Sequence, residues 1–135
     1  MSTLSLANIQ TKAANTPPVI KDVNGAECGQ FCRAWVNFDA GTGTTIRDSF
    51  NVDSITDHAT GKQTVNFTNA LPNANYSVVA QGNRLIADGA GGLYGLIMID
   101  DSSAIPTTTA VRFHTIHTSG TAYDLDRICI AVFCN

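Results

Sequence analysis

Hydrophobic and polar residues alternate along most of the chain, in short segments that end at clusters of Gly, Pro, Asn or Asp. Such alternation over about four to eight residues is typical of a half-buried β-strand, and the clusters are typical of turns. The pattern therefore predicts seven strands. They cover residues 31–39, 45–55, 63–68, 75–82, 94–99, 109–118 and 127–133.

Short strands at this spacing, with no segment of helical periodicity, favour an all-β fold. The composition agrees, because Lys and Glu, which usually cover the outside of helices, are scarce, whereas Thr, Val, Ile and Phe are frequent. We expect an antiparallel β-sandwich or small jelly roll of about seven strands.

The first part of the chain has a different character. Residues 7–16 are mostly polar, and Pro17-Pro18 prevents a helix from continuing through them. We expect an extended N-terminal arm over residues 1–27, which would attach the protein to a partner or cross a neighbouring subunit. The β-sandwich domain follows over residues 28–135.

The first predicted strand has two unlike faces. One face alternates Cys32, Ala34, Val36 and Phe38, which predicts a core face. The opposite face has Phe31, Arg33 and Trp35, and Trp and Arg are enriched where subunits meet. These three residues are candidate subunit-interface residues. Residues 96–99 and 128–133 are apolar on both faces, which also favours a homo-oligomer.

The charge of the chain argues against several partners. The formal net charge is −3 and no run of Lys or Arg is present, so nucleic acid is not an expected partner. No apolar run approaches the ~20 residues that span a bilayer, and we expect no membrane insertion. The N-terminus lacks the pattern of a secretory signal, so we expect a protein that is made and kept in a cytoplasm or released from one by other means.

The cysteines and histidines do not form a metal-binding pattern. Cys28, Cys32, Cys129 and Cys134 lack zinc-knuckle spacing, and we interpret them as buried free thiols, with a bridge between strands as the alternative. His114 and His117 are three apart, so on a strand they point to opposite faces. No metal and no cofactor are expected.

No motif points to catalysis. The chain has no Gly-x-Ser-x-Gly elbow, and the glycine-rich stretch 88–92 does not open a helix after a strand. Paired carboxylates carry out glycoside hydrolysis, and the candidates are Asp100 with Asp101 and Asp124 with Asp126. Asp100 and Asp101 are better explained as the end of a strand and the start of a loop. We therefore expect no enzymatic activity and assign no catalytic residue.

Six short motifs follow one another in the first half of the predicted domain: AWVNF at 34–38, GTGT at 41–44, IRDSFNV at 46–52, SITD at 54–57, TVNFT at 64–68 and LPNANY at 71–76. This ordered set resembles a domain of tail fibre and tail proteins from tailed bacteriophages. The similarity covers about residues 34 to 80, and 128–133 resembles the closing strand of that domain. One departure is Asp39-Ala40, where related sequences often have Asn-Gly, so this hairpin turn is expected to differ.

The resemblance implies a virion structural protein: a homotrimeric short tail fibre or fibre-tip protein that contacts a glycan or envelope receptor on the host cell. Its location would be the virion tail, with the host cytoplasm during assembly, and residues 1–27 would attach it to other tail or baseplate proteins. The alternatives are a structural adaptor or decoration protein without a host ligand and, less favoured, a polysaccharide depolymerase. The candidate receptor-binding residues, in the loops 83–94 and 100–108, are Arg84, Asp88, Tyr94, Asp100 and Asp101.

Overall fold

The computed structural model describes residues 20–83, 95–100, 106–117 and 120–134. Within these residues the chain forms ten strands and no helix. The strands are β1 (Ile20–Lys21), β2 (Glu27–Gly29), β3 (Cys32–Asp39), β4 (Thr45–Phe50), β5 (Val52–Ala59), β6 (Lys62–Phe67), β7 (Ser77–Asn83), β8 (Gly95–Ile99), β9 (Ala110–His117) and β10 (Arg127–Phe133). Within the described ranges, no helix has the length and apolar character needed to cross a membrane.

Two four-stranded antiparallel sheets form the β-sandwich. The first sheet has the order β4-β3-β10-β7, and the second has the order β5-β6-β9-β8. The chain passes from one sheet to the other after β4, β6, β7 and β9. The prediction of an all-β antiparallel sandwich is confirmed.

The core lies between the two sheets, where the alternating apolar residues meet. Ala34, Val36 and Phe38 of β3 are buried as predicted, and the alternate residues of β6, β9 and β10 face them. Leu71 and Leu125 close the core from the loops. The inner residues of these strands are Val65, Phe67, Val111, Phe113, Ile128, Ile130 and Val132.

The predicted strand 45–55 is two strands, and Asn51 separates them. Asn51 has φ of 55°, in the left-handed region that Asn adopts more readily than most residues. This bend ends β4 in the first sheet and begins β5 in the second. The single-strand prediction was wrong here because continuous alternation does not reveal a change of sheet.

The turn between β3 and β4 contains Asp39-Ala40, where the tail fibre domains that this chain resembles often have Asn-Gly, and the Asp39 side chain organises it. The Asp39 carboxylate accepts hydrogen bonds from the backbone N–H groups of Gly41 and Thr42, at 2.9 and 3.2 Å. Its other oxygen forms an ion pair with Arg47 at 2.7 Å. A side-chain acceptor therefore closes this turn.

Residues 20–29, most of which were assigned to the extended arm, form a small exposed hairpin of β1 and β2. The Asp22 carboxylate organises its turn by accepting from the N–H groups of Asn24 and Ala26, both at 2.9 Å. The remainder of the predicted arm, residues 1–19, lies outside the described residues. The arm and its role in attachment stay predictions.

The four cysteines are free thiols with different surroundings. Cys134 is buried, Cys32 and Cys129 are half-buried, and Cys28 is exposed. Cys129 is not fully buried because it lies on the outer face of the first sheet, in register with Asn37 and Gln81. The expected burial is confirmed at Cys134 and is only partial at Cys32 and Cys129. At Cys28, which is exposed, the expectation was wrong.

Candidate functional site

The predicted receptor-binding residues fall mostly outside the described ranges. This is the case for Arg84, Asp88, Tyr94 and Asp101. Asp100 is described and its residue is only 5% exposed, with its backbone N–H bonded to the Arg112 carbonyl at 3.0 Å. Its burial leaves little surface for a receptor, and the loop assignment as a whole stays a prediction.

The predicted interface residue Trp35 lies in an apolar row across the outer face of the first sheet. Trp35 is in register with Phe50 on one side and with Ala131 on the other, and Ala131 is in register with Val79. Residues opposite each other in antiparallel strands share a face. Phe50 and Val79, on the two edge strands, are 54% and 62% exposed. We call Phe50, Trp35, Ala131 and Val79 the apolar row.

The other two predicted interface residues, Phe31 and Arg33, line an open groove of about 800 Å³ at the end of this row. The β4–β5 corner, with Phe50 and Asn51, forms the second wall, and residues 68–72 form the third. The groove thus combines two exposed aromatic rings with a cation, a hydroxyl and amide groups. Among the described residues, the Arg33 guanidinium has no carboxylate partner.

Asn51 holds the walls of the groove together. Its amide nitrogen donates to the backbone carbonyls of Arg33 and Asn69, at 3.1 and 3.2 Å. Its side-chain oxygen accepts from the backbone N–H of Asn69 at 2.8 Å. The left-handed bend places this one side chain between β3 and the 68–72 loop. We did not predict the groove from the sequence; the only signal was an Asn in the middle of an alternating run.

Asp124, one of the carboxylates considered for glycoside hydrolysis, has a structural role, and no metal site accompanies it within the described residues. Asp124 accepts from the Gly61 N–H at 2.7 Å and from the Gln63 side-chain amide at 2.9 Å, so it ties the last loop to the β5–β6 turn. Within the described part of the chain, no three His, Cys, Asp or Glu side chains converge on a point where a metal would bind.

Comparison with known proteins gives one informative match. No protein-family model matches the chain. No curated protein matches its sequence. Among solved structures, the chain is similar in fold to part of the phiAB6 tailspike, which was crystallised with oligosaccharides of Acinetobacter baumannii surface polysaccharide. The match has a TM-score of 0.51 and 14% identity, and covers 98% of this chain.

The chain spans 30% of the length of that tailspike. At this identity the likeness concerns the fold alone. A β-rich domain of this architecture therefore occurs in a phage tail protein.

Proposed function

We propose that the protein is a phage tail protein, a homotrimeric short tail fibre or fibre tip that binds a host surface glycan. The observation that carries the proposal is the groove at the end of the apolar row, in a domain whose fold is shared with a tailspike. The motif resemblance to tail fibre domains supports the same class of protein. The virion tail is its proposed location.

The groove has the chemistry of a site for a sugar ring. Phe31 and Phe50 offer aromatic surface for the apolar face of a pyranose. Arg33, Thr68 and Asn69 offer polar groups for its hydroxyls. Since Asn51 fixes the walls through backbone contacts, the groove is pre-formed, which lowers the ordering cost of binding.

Replacing Phe50 with Ser is expected to weaken glycan binding about tenfold or more, because the ligand loses an aromatic contact in a pre-formed site. Binding is measured on an immobilised glycan panel and then by titration calorimetry with the best ligand. Val23→Ser is the matched control, since Val23 is 99% exposed in the turn of the N-terminal hairpin and does not line the groove. Equal affinities of the two variants and the wild type would remove the groove from the proposal.

The apolar row is the proposed contact between subunits. Trp35 and Ala131 at its centre are half-buried, and Phe50 and Val79 at its ends are exposed apolar side chains on edge strands. Exposed apolar surface of this kind marks a protein contact more often than a free surface. In this arrangement Val79, Ala131 and Trp35 lie within the contact, whereas Phe31, Arg33 and Phe50 lie at its border, where the groove opens.

The unmodified chain is expected to have a solution mass near three times 14.3 kDa by light scattering. Val79→Asp is expected to yield monomers, because a carboxylate in an apolar contact loses its hydration without gaining a partner. Gln81→Asp, which carries the same charge on the same face of β7 but outside the row, should remain trimeric. A monomeric wild type, or a trimeric Val79→Asp variant, would contradict the proposed contact.

The second candidate function is a structural adaptor of the tail or baseplate without a host ligand. The apolar row favours it, because such a surface suits a protein partner as well as a second copy. A trimer that binds no member of the glycan panel would support the adaptor. We propose binding rather than hydrolysis, since Asp124, a depolymerase candidate, holds the structural bonds described above.

A further inference from the structure

The outer face of the second sheet concentrates basic side chains. Lys62 of β6 is in register with His114 of β9, and Arg112 is in register with Thr64. The alternate residues Gln63, Val65, Val111 and Phe113 are buried between the sheets, so Lys62, Arg112 and His114 face outward. His58, on the edge strand β5, contacts Arg112. We call Lys62, Arg112, His58 and His114 the basic face.

Arg112 is held in place within this face. Its Nη2 atom lies 3.0 Å from Nδ1 and 2.8 Å from Nε2 of His58. The Arg112 guanidinium therefore lies directly against the imidazole ring of His58. The Nε of Arg112 lies 3.3 Å from the Thr64 hydroxyl, and that hydroxyl also bonds His58 at 2.9 Å. The cation is therefore ordered before any ligand arrives.

Within the described residues, neither Lys62 nor Arg112 forms an ion pair with a carboxylate; the ion pair found there joins Arg47 and Asp39 on the first sheet. Asp100 adjoins Arg112 across β8 and β9, but its residue is only 5% exposed. In a chain with a net charge of −3, a sheet face with basic groups and no paired carboxylate indicates an anionic ligand.

The neighbours of the basic face indicate what kind of anion. Ser54, Thr56 and Asn66 lie beside it and form a hydrogen-bonded polar surface, with Asn66 bonded to both hydroxyls at 3.1 and 2.9 Å. On the other side, Leu96 and Met98 of β8 are 52% and 43% exposed. Cations flanked by neutral polar groups and by apolar surface match a carboxylate-bearing sugar polymer, whose rings carry hydroxyl and apolar faces.

We propose that the basic face binds an acidic polysaccharide, with Arg112 and Lys62 contacting the uronate carboxylates. The choice of a polysaccharide over other polyanions rests on the proposed function. The basic face lies on the opposite sheet from the groove, so it would be a second binding site in addition to the groove. Binding here would hold the domain on an acidic cell envelope whether or not the groove is occupied.

The probe is polygalacturonate, titrated into the full chain by calorimetry at about 50 mM salt, with dextran as a neutral polymer. The wild type is expected to bind polygalacturonate and not dextran, and raising the salt to about 500 mM should largely abolish the binding. Arg112→Gln and Lys62→Gln should each weaken binding about fivefold, and the double variant about 25-fold. Arg112→Lys, which keeps the charge, should recover part of the loss.

Arg127→Gln is the matched control, since it removes one exposed charge from the first sheet and should bind like the wild type. Circular dichroism and thermal unfolding of each variant separate loss of binding from loss of fold. The salt dependence of binding is measured on the wild type alone, so it does not depend on whether any variant folds.

Salt-insensitive binding, or equal loss of binding in Arg127→Gln, would overturn the proposal. Equal or tighter binding of a short DNA duplex would also overturn it. Phe50→Ser should leave polygalacturonate binding intact, so failure of the groove and failure of the basic face are distinguishable.

Discussion

Gly61→Ala is expected to lower the free energy of unfolding by about 3 kcal/mol or more. Gly61 has φ of 74°, which costs a residue with a Cβ about 1–2 kcal/mol. A Cβ at this position would lie 2.5 Å from the Thr115 carbonyl oxygen and 3.1 Å from the Tyr123 nitrogen. Both atoms are backbone and take part in the hydrogen bonds that join β9 to the last loop, so neither moves without breaking them.

The measurement is urea unfolding followed by circular dichroism. Gly43→Ala is the matched control, because Gly43 also has a left-handed φ, of 90°, but a Cβ there meets nothing within 4 Å. The free energy of unfolding of Gly43→Ala should fall only by the cost of a left-handed φ, about 1 kcal/mol. The difference between the two variants then isolates the steric conflict. Equal losses would show that the turn relaxes and that the packing around Gly61 is not restrictive.

Asp124→Ala is expected to lower the free energy of unfolding by a comparable amount, about 3 kcal/mol, because the oxygen that accepts hydrogen bonds from two donors is lost. The Gly61 N–H lies 2.7 Å and the Gln63 amide 2.9 Å from the same Asp124 oxygen. Gln63 is fully buried between the sheets, so its amide has no water to replace the carboxylate. The side-chain oxygen of Gln63 has no hydrogen-bond partner among the described residues. The bond from its amide nitrogen to Asp124 therefore offsets part of the free-energy cost of burying this side chain.

Asp124→Asn separates the two components of this interaction. Asn keeps an oxygen that accepts both hydrogen bonds but loses the charge, and we expect about half the loss seen with Ala. Asp48→Ala is the control, since Asp48 is exposed and its Oδ1 accepts from the backbone N–H of Ser49, so the change should cost less than about 0.5 kcal/mol. An Asp124→Ala variant as stable as the wild type would show that the loop reorganises around Gln63.

Local alternation was enough to predict where most strands of the sandwich lie, because side chains on a strand point to opposite faces whatever the rest of the fold is. It did not predict β1, β2 or the division of residues 45–55 into two strands. It was not enough to predict the sites. Asn51 divides one alternating run between two sheets, and this bend, with the 68–72 loop, creates the groove. Phe31 and Arg33 were selected as interface residues for their chemistry, but their position in the groove wall depends on a loop about 40 residues further along the chain.

The sequence by itself determined the all-β class, the inward face of β3 and the scarcity of charge. Each of these follows from residue type and from the two-residue period of a strand. The tertiary structure decided the apolar row, the groove, the basic face and the structural role of Asp124. Those features join residues from strands that are distant in the chain, and the sheet order and register that bring them together depend on the packing of the whole sandwich.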